Sequence, residues 1–437
     1  MNAVELLLIV LCLMFGFLAC GLWMGISLGL AGALSILLFT GYPLGDIVAK
    51  VSFSANDSFV LAAVPFFILM GELLFHSGIS QRLYSGITPW IARIPGRLLH
   101  TNVIVCSIFA AMVGTSAAPT AAVASIALPE LKQRGYDEKI SIASLAGAGT
   151  LGLLIPPSAG MIIYGAMVGD SVGQLFMAGV LPGLMLASFF MIYIAIVSIA
   201  HPSIVPPKTK TYSWKERFVA IRQVIPAFFV IASVLGLIYG GVVTPTESAA
   251  IGVLASACVC LLHRTMSWKM LKTCLIATAR LTCMILFIIT GASILRTAVA
   301  YLRIPNQLAS FVVSLELSPY VILTILILLY LGMGCVFDGI SMMVLTLPIV
   351  HPVITTLGFS SIWFAVILII LTEAAQITPP VGFNLFVLEK ISGVPIFKIG
   401  RYSIPFLLLM ILAIVVLTLF PDIALWLPST MTKAVIK

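Results

Sequence analysis

Gly114-Thr115-Ser116-Ala117-Ala118-Pro119 closes one short apolar run, and Gly332-Met333-Gly334-Cys335-Val336-Phe337-Asp338-Gly339 closes another. Downstream of each, a proline pair interrupts a long apolar segment: Ile155-Pro156-Pro157-Ser158 in the first case and Thr378-Pro379-Pro380-Val381 in the second. Upstream, Phe67-Ile68-Leu69-Met70-Gly71 answers Phe287-Ile288-Ile289-Thr290-Gly291. The offsets stay nearly constant: 220 residues for Gly71/Gly291 and for Gly114/Gly334, 219 for Pro129/Pro348 and 223 for Pro156/Pro379. One unit is written twice, at residues 1–222 and 223–437, with polar interruptions at matched places. Interrupted apolar helices in two related halves point to a central binding site in a transporter.

Of the 437 residues, 61% are hydrophobic and only 9% are charged. A water-soluble globule cannot hide that much apolar surface, so the chain reads as an integral membrane protein. The apolar stretches are continuous rather than alternating, which selects helices over a barrel. A net charge of +8 would suggest nucleic acid only if the basic residues formed a patch; here they sit in the loops between apolar spans. The eight cysteines lie almost all in apolar runs, without disulfide or zinc spacing. No basic region precedes the first apolar run, which therefore reads as a retained span. There is no G-x-x-x-x-G-K-[ST], so nothing in this chain provides ATP drive.

Ten segments approach the roughly 20 residues that cross a bilayer: 3–22, 24–41, 58–76, 141–168, 175–200, 224–243, 246–263, 274–295, 361–388 and 403–424. Two further apolar regions, 100–131 and 319–350, are too long for one straight crossing. Cut at their glycine-rich centres, they give halves of about 12 residues, or roughly 18 Å, too short to cross. Both regions therefore read as re-entrant hairpins.

Charge placement assigns sides. Arg82, Arg93 and Arg97 precede the first hairpin, and Lys132, Arg134 and Lys139 follow it, so both of its ends are cytoplasmic. Residues 304–389 contain no Lys or Arg, which puts the second hairpin on the other face. The basic loops at Lys208–Arg222, Arg264–Lys272 and Lys390–Arg401 agree with cytoplasmic placement, and Lys50, Arg296, Arg303, Lys433 and Lys437 fall outside. Five spans, an odd number, separate Gly71 from Gly291, so the two units are inverted and both termini lie outside. Residues 201–222 link the units on the cytoplasmic face, and 79–99 suit an interfacial helix.

Non-helical backbone at membrane depth survives only where protein or a water-filled cavity satisfies it. The two hairpin tips and the two proline breaks are four such places. Proline has no N–H and collides with the carbonyl one turn back, so each break frees carbonyl oxygens. With hydroxyls, these are hard ligands that suit Na⁺, and a helix N-terminus opposite them suits a carboxylate. The expected Na⁺ ligands are Gly114, Thr115, Ser116, Gly149 and Thr150 in the first unit, and Gly332, Gly334, Asp338, Thr372, Glu373 and Thr378 in the second. Expected at the substrate are Ser116, Pro156, Pro157, Ser158, Pro379 and Pro380.

Intramembrane acids are costly and usually functional. Asp338 and Glu373 are placed to hold a cation or a proton, or to cap a helix. Glu72 has no basic partner evident in sequence. Glu247 belongs to Thr244-Pro245-Thr246-Glu247, a capping box with proline at the first helical position, and so has a structural role. Ser116 lacks the G-x-S-x-G setting of a hydrolase nucleophile, and no histidines are spaced for a metal. The chain is therefore expected not to be an enzyme.

The order Gly-Thr-Ser-Ala-Ala, Ile-Pro-Pro-Ser, Thr-Pro-Thr-Glu, a tip Gly-Met-Gly followed by Asp338 and Leu-Pro-Ile-Val-His-Pro, and Ile-Thr-Pro-Pro-Val-Gly-Phe-Asn-Leu-Phe-Val resembles the large membrane subunit of TRAP (tripartite ATP-independent periplasmic) transporters. The resemblance runs nearly end to end; the last motif, with Glu373 ahead of it, is the most specific. It implies Na⁺-coupled uptake of an organic acid across a bacterial or archaeal inner membrane by an elevator mechanism. The mobile part would be about 100–168 and 319–388. It also implies a small four-helix membrane partner subunit and a periplasmic substrate-binding protein. Thr372-Glu373-Ala374-Ala375-Gln376 departs from the family's commoner approach to the second break, which leaves its side-chain ligands open. A stand-alone Na⁺/anion symporter of related architecture is the alternative. Sugar acids, C4-dicarboxylates and small zwitterions all fit as cargo.

Overall fold

The computed structural model describes residues 3–207 and 212–431. Lys208, Lys210, Lys433 and Lys437, used above for topology, lie outside the described residues. Among those described there are helices and no strand, as the sequence predicts.

The first half opens with α1 (Ala3–Ala19), α2 (Met24–Phe39) and α3 (Leu44–Asn56). Next, α4 (Ala63–His76) and α5 (Ile79–Ile91) meet at a 67° bend. A turn at Gly114–Ser116 joins α6 (Leu98–Val113) to α7 (Ala117–Gln133) as a helical hairpin, and α8 (Glu138–Gly149) and α9 (Ala159–Val168) are the pieces of a broken helix. A long helix, α10 (Val172–Ala200), ends the half.

The second half begins with α11 (Trp214–Ile221), α12 (Ile225–Ile231) and α13 (Leu237–Tyr239), the last two continuous through a π-helical turn at Ala232–Gly236. Then come α14 (Pro245–Leu262), α15 (Trp268–Tyr301) and α16 (Ile304–Ser314). The second hairpin is α17 (Pro319–Met333) and α18 (Gly339–Thr356), the second broken helix α19 (Ser361–Ala375) and α20 (Phe383–Ser392). It is followed by the long α21 (Ile396–Leu419) and by α22 (Asp422–Ser429). Hairpin, broken helix and long helix thus occur twice in the same order.

Local chemistry sets many of these boundaries. Thr244 and Glu247 exchange the two bonds of a capping box at the start of α14, at 2.8 and 3.3 Å, as their spacing predicts. Ser213 and Glu216 do the same for α11. Asp137 caps α8 by accepting from the Ile140 N–H at 3.0 Å. Each cap satisfies an orphan amide and contributes about 1 kcal/mol.

The scaffold is closed by pairs that exchange partners between halves. The most extensive helix packings join α2 to α15 and α4 to α14, one helix from each half. Small residues let the backbones meet: a Cβ on Gly32 of α2 would lie 2.7 Å from the Leu295 nitrogen of α15.

By length and composition, five helices among the described residues suffice to cross a membrane, or seven if each of two bent pairs counts as one. Several boundaries differ from the sequence reading. The hairpin arms have 15 to 18 residues instead of about 12. Hydropathy marks where side chains become polar, whereas helical bonding runs on, as in α7, which continues through Pro129 to Lys132 and Gln133. Likewise α15 has 34 residues where 274–295 was expected, because its ends project beyond the apolar stretch. Two amphipathic helices, α3 and α16, went unread. The interfacial helix expected in 79–99 is α5, but it is packed against α6 and α11 rather than lying free. Glu72 does have a partner: His76, one turn on, at 3.9 Å.

Candidate functional site

The expected site residues that come together do so around the last turn of α19. Glu373 is wholly buried there. Its Oε1 accepts a hydrogen bond from the Ser116 hydroxyl and a second, 2.7 Å long, from the Leu153 N–H. These donors come from the first hairpin tip and from the break between α8 and α9. Glu373 Oε2 has no hydrogen-bond partner, and among the described residues no Lys, Arg or His pairs with this side chain. An uncompensated charge in such a place costs several kcal/mol. The carboxyl group therefore calls for a cation or a proton.

The first tip is held tightly against its own break. Gly114 ends α6 with φ +69°, a conformation that glycine adopts without penalty. Its carbonyl accepts from the Ala159 N–H at 3.2 Å, and a Cβ there would lie 2.8 Å from the Pro157 oxygen. The segment between α8 and α9 lies flat on the tip, so a Cβ on Gly152 would come within 2.6 Å of the Ser116 Cα. Pro156, Pro157 and Ser158 are all buried. The Ser158 hydroxyl is committed as the α9 cap, accepting from the Met161 N–H at 3.3 Å. The Pro156-Pro157 and Pro379-Pro380 bonds are both cis.

Beside the tip, Thr120 donates to the Ser116 carbonyl at 2.8 Å and lies against Gly149. Asn384, in the first turn of α20, reaches the same place: a Cβ on Gly149 would lie 3.2 Å from its Nδ2. Asn384 is fully buried, and neither its Oδ1 nor its Nδ2 finds a partner. Buried amides are normally bonded, so this one is available to a ligand. Asn384 is not among the ligands expected from the sequence, although it stands in the Thr-Pro-Pro-Val-Gly-Phe-Asn motif. Its position one residue into the helix after a proline break was the signal.

The second tip meets the same helix end from elsewhere. Gly334 abuts Ala375, with a Cβ only 3.0 Å from the Ala375 Cα, and Gly339 abuts Thr372, with a Cβ 2.7 Å from its carbonyl oxygen. The other expected ligands divide. The Thr372, Thr150 and Thr378 hydroxyls each bond a carbonyl of their own helix, at 2.8, 2.6 and 2.8 Å. Their carbonyls, rather than those hydroxyl protons, are the available ligands. Thr115 is half-buried and offers its carbonyl toward Gly152. Asp338 is exposed and caps α18, accepting from the Ser341 N–H at 3.2 Å. Gly332 is exposed, with open space around it. Pro379 is half-buried and Pro380 exposed. The structure thus gathers Gly114, Thr115, Ser116, Gly149, Thr372 and Glu373, and leaves Gly332, Asp338 and Pro380 outside that cluster.

Comparison with known proteins gives this arrangement a context. The family described as "Tripartite ATP-independent periplasmic transporter, DctM component" matches residues 11–423. A C4-dicarboxylate TRAP transporter large permease protein of Pseudomonas aeruginosa is 34% identical, over 92% of this chain and 94% of its own length. An isethionate TRAP transporter permease protein of Oleidesulfovibrio alaskensis is 30% identical over 94% of this chain, which spans 64% of that longer protein. Among solved structures, the Alcanivorax borkumensis YdaH transporter superposes with a TM-score of 0.57 at 10% identity, covering 87% of each chain. That similarity speaks for the fold alone.

Proposed function

The chain belongs to the tripartite ATP-independent periplasmic transporter family, as a DctM-type large permease subunit of the inner membrane, and from that premise we propose that it imports an organic acid by coupling to Na⁺ at Glu373. The observation that carries this reading is the wholly buried Glu373, bonded through one oxygen and free at the other. The Ser116 hydroxyl and carbonyl, the Thr372 carbonyl, the Thr150 carbonyl and the Asn384 Oδ1 supply further hard oxygens. A hydrated Na⁺ exchanges its waters for such a set at little cost, and its charge answers the carboxylate.

Coupling follows from the same geometry. Ser116 sits on the first hairpin and Glu373 on a helix of the other half, so a bound Na⁺ would tie the two together. Filling the site orders the tips that border the acid, and the acid in turn is held by the tips and breaks at Ser116, Pro156-Pro157-Ser158 and Pro379-Pro380. Each Na⁺ entering down a 100 mV potential supplies about 2.3 kcal/mol, so two or more suffice to concentrate an anion. The hairpins and broken helices would move as one unit against the α2–α15 and α4–α14 scaffold, the two halves being inverted in the membrane. A separate small membrane subunit and a periplasmic binding protein are the expected partners, the latter selecting the acid.

The test is reconstitution with those partners in proteoliposomes. Uptake should require an inward Na⁺ gradient that K⁺ cannot replace. Glu373→Gln should lower Na⁺-driven uptake by two orders of magnitude or more, about the 3–5 kcal/mol lost when one member of a buried charge pair is removed. Uptake that persists in Glu373→Gln with unchanged Na⁺ dependence would refute the assignment.

A further inference from the structure

One arginine is explained by neither topology nor the cluster at Glu373. Arg280 lies eight residues beyond Lys272 on α15, about 12 Å further from the basic end of that helix. Its side chain is exposed, and among the described residues it makes no ion pair and no hydrogen bond. It does not face featureless surface. Arg280, Cys283, Met284, Phe287 and Ile288 follow the spacing of one helical face, and all five line a chamber of about 820 Å³. Trp23 through Ile26 form its wall on α2, and Ser341, in the first turn of α18, lines the open cavity as well. The lining is otherwise almost entirely apolar.

We propose that Arg280, facing Ser341 across this chamber, receives the carboxylate of the transported acid as it passes the second hairpin. An arginine fork matches a carboxylate in shape and binds it through two parallel N–H···O bonds. A charged group within a membrane helix is retained where it faces a cavity and acts there. The apolar walls offer few competing hydrogen-bond partners and lower the local dielectric, which strengthens the attraction. Ser341 offers a hydroxyl at the hairpin's own end, so a carboxylate held there would touch both the scaffold and a tip. Asp338 lies three residues away, exposed, and its negative charge would keep the residence of an anion brief. A relay step requires release of that kind. The inference rests on the organic-acid reading above, but it needs no Na⁺ for its test.

Cys283, exposed and one turn along the same face, is a native reporter. In the permease carrying serine at Cys12, Cys20, Cys258 and Cys335, Cys283 is labelled with an anionic sulfonate thiosulfonate and with a cationic ammonium one. Each rate is normalised to that of a free thiol. The sulfonate should be favoured by about tenfold. Arg280→Gln should abolish the preference and Arg280→Lys should keep most of it. Millimolar succinate, in nanodiscs of phosphatidylcholine alone, should slow the sulfonate reaction in the parent protein and not in Arg280→Gln. Equal normalised rates, a preference that survives Arg280→Gln, or no protection by succinate would overturn the proposal. So would a preference quenched by added phosphatidylglycerol and untouched by succinate, which would mark a lipid-headgroup site. If labelling behaves as expected while Na⁺-driven uptake fails, the chamber stands and the coupling reading falls. If uptake holds and labelling is flat, Arg280 alone loses its role.

Discussion

The two hairpins descend from the same pattern, yet the structure treats them differently. In the first, α6 buries nearly its whole length, and the tip is fixed by Gly114 to Ala159 and by Ser116 to Glu373. In the second, α17 buries only Ile322, Leu323 and Tyr330. Its tip exposes Gly332, Val336 and Asp338, and its acid caps its own helix. Both tips lean on the last turn of α19, but only the first is bonded to it through the buried carboxyl group. Sequence repetition therefore does not mean equal roles. One tip closes over the proposed ion site, while the other borders the chamber at Arg280 and has fewer contacts to break when it moves.

Exchanging Gly114 of the first tip and the exposed Gly332 of the second for alanine should expose that difference most strongly. Gly114→Ala meets a left-handed φ and the Pro157 oxygen together, so it should cost about 2–3 kcal/mol and cut uptake accordingly. Gly332→Ala, in open space, should stay within about 0.5 kcal/mol of the parent in a thermal-unfolding comparison. Comparable losses from both would erase the asymmetry. Ser116→Ala comes next. It removes a hydrogen bond to a buried carboxyl group and should weaken Na⁺ activation of uptake by roughly tenfold or more, from the 1.5–3 kcal/mol typical of bonds to charged groups. Asp338→Ala should do least to Na⁺ affinity and show itself instead as a lost cap, about 1 kcal/mol of stability. A large Na⁺ effect from Asp338→Ala would move the ion site to the second tip.

What was legible in the chain is what is local. The proline pairs announced both breaks, because a residue with no N–H must interrupt a helix. Gly114 announced a hairpin tip, and Thr244 to Glu247 a capped start. Glu373 stood out as an acid in an apolar run. What was not legible is pairing across distance. Ser116 and Glu373 are separated by 257 residues, and nothing local to either names the other. Asn384 and Arg280 were passed over for the same reason, since their meaning lies in the absence of partners that only the fold reveals. The amphipathic α3 and α16 were missed because a search for apolar length discards helices with one polar face. The unequal burial of the two hairpins was hidden entirely, as both tips read as glycine-rich polar turns.

The most direct test is Na⁺ binding to the purified permease by titration calorimetry, comparing the parent with Glu373→Gln and Asp338→Asn. Saturable Na⁺ binding that K⁺ does not mimic, lost in Glu373→Gln and retained in Asp338→Asn, is the expected result. Full Na⁺ affinity in Glu373→Gln, or its loss in Asp338→Asn alone, would contradict the account.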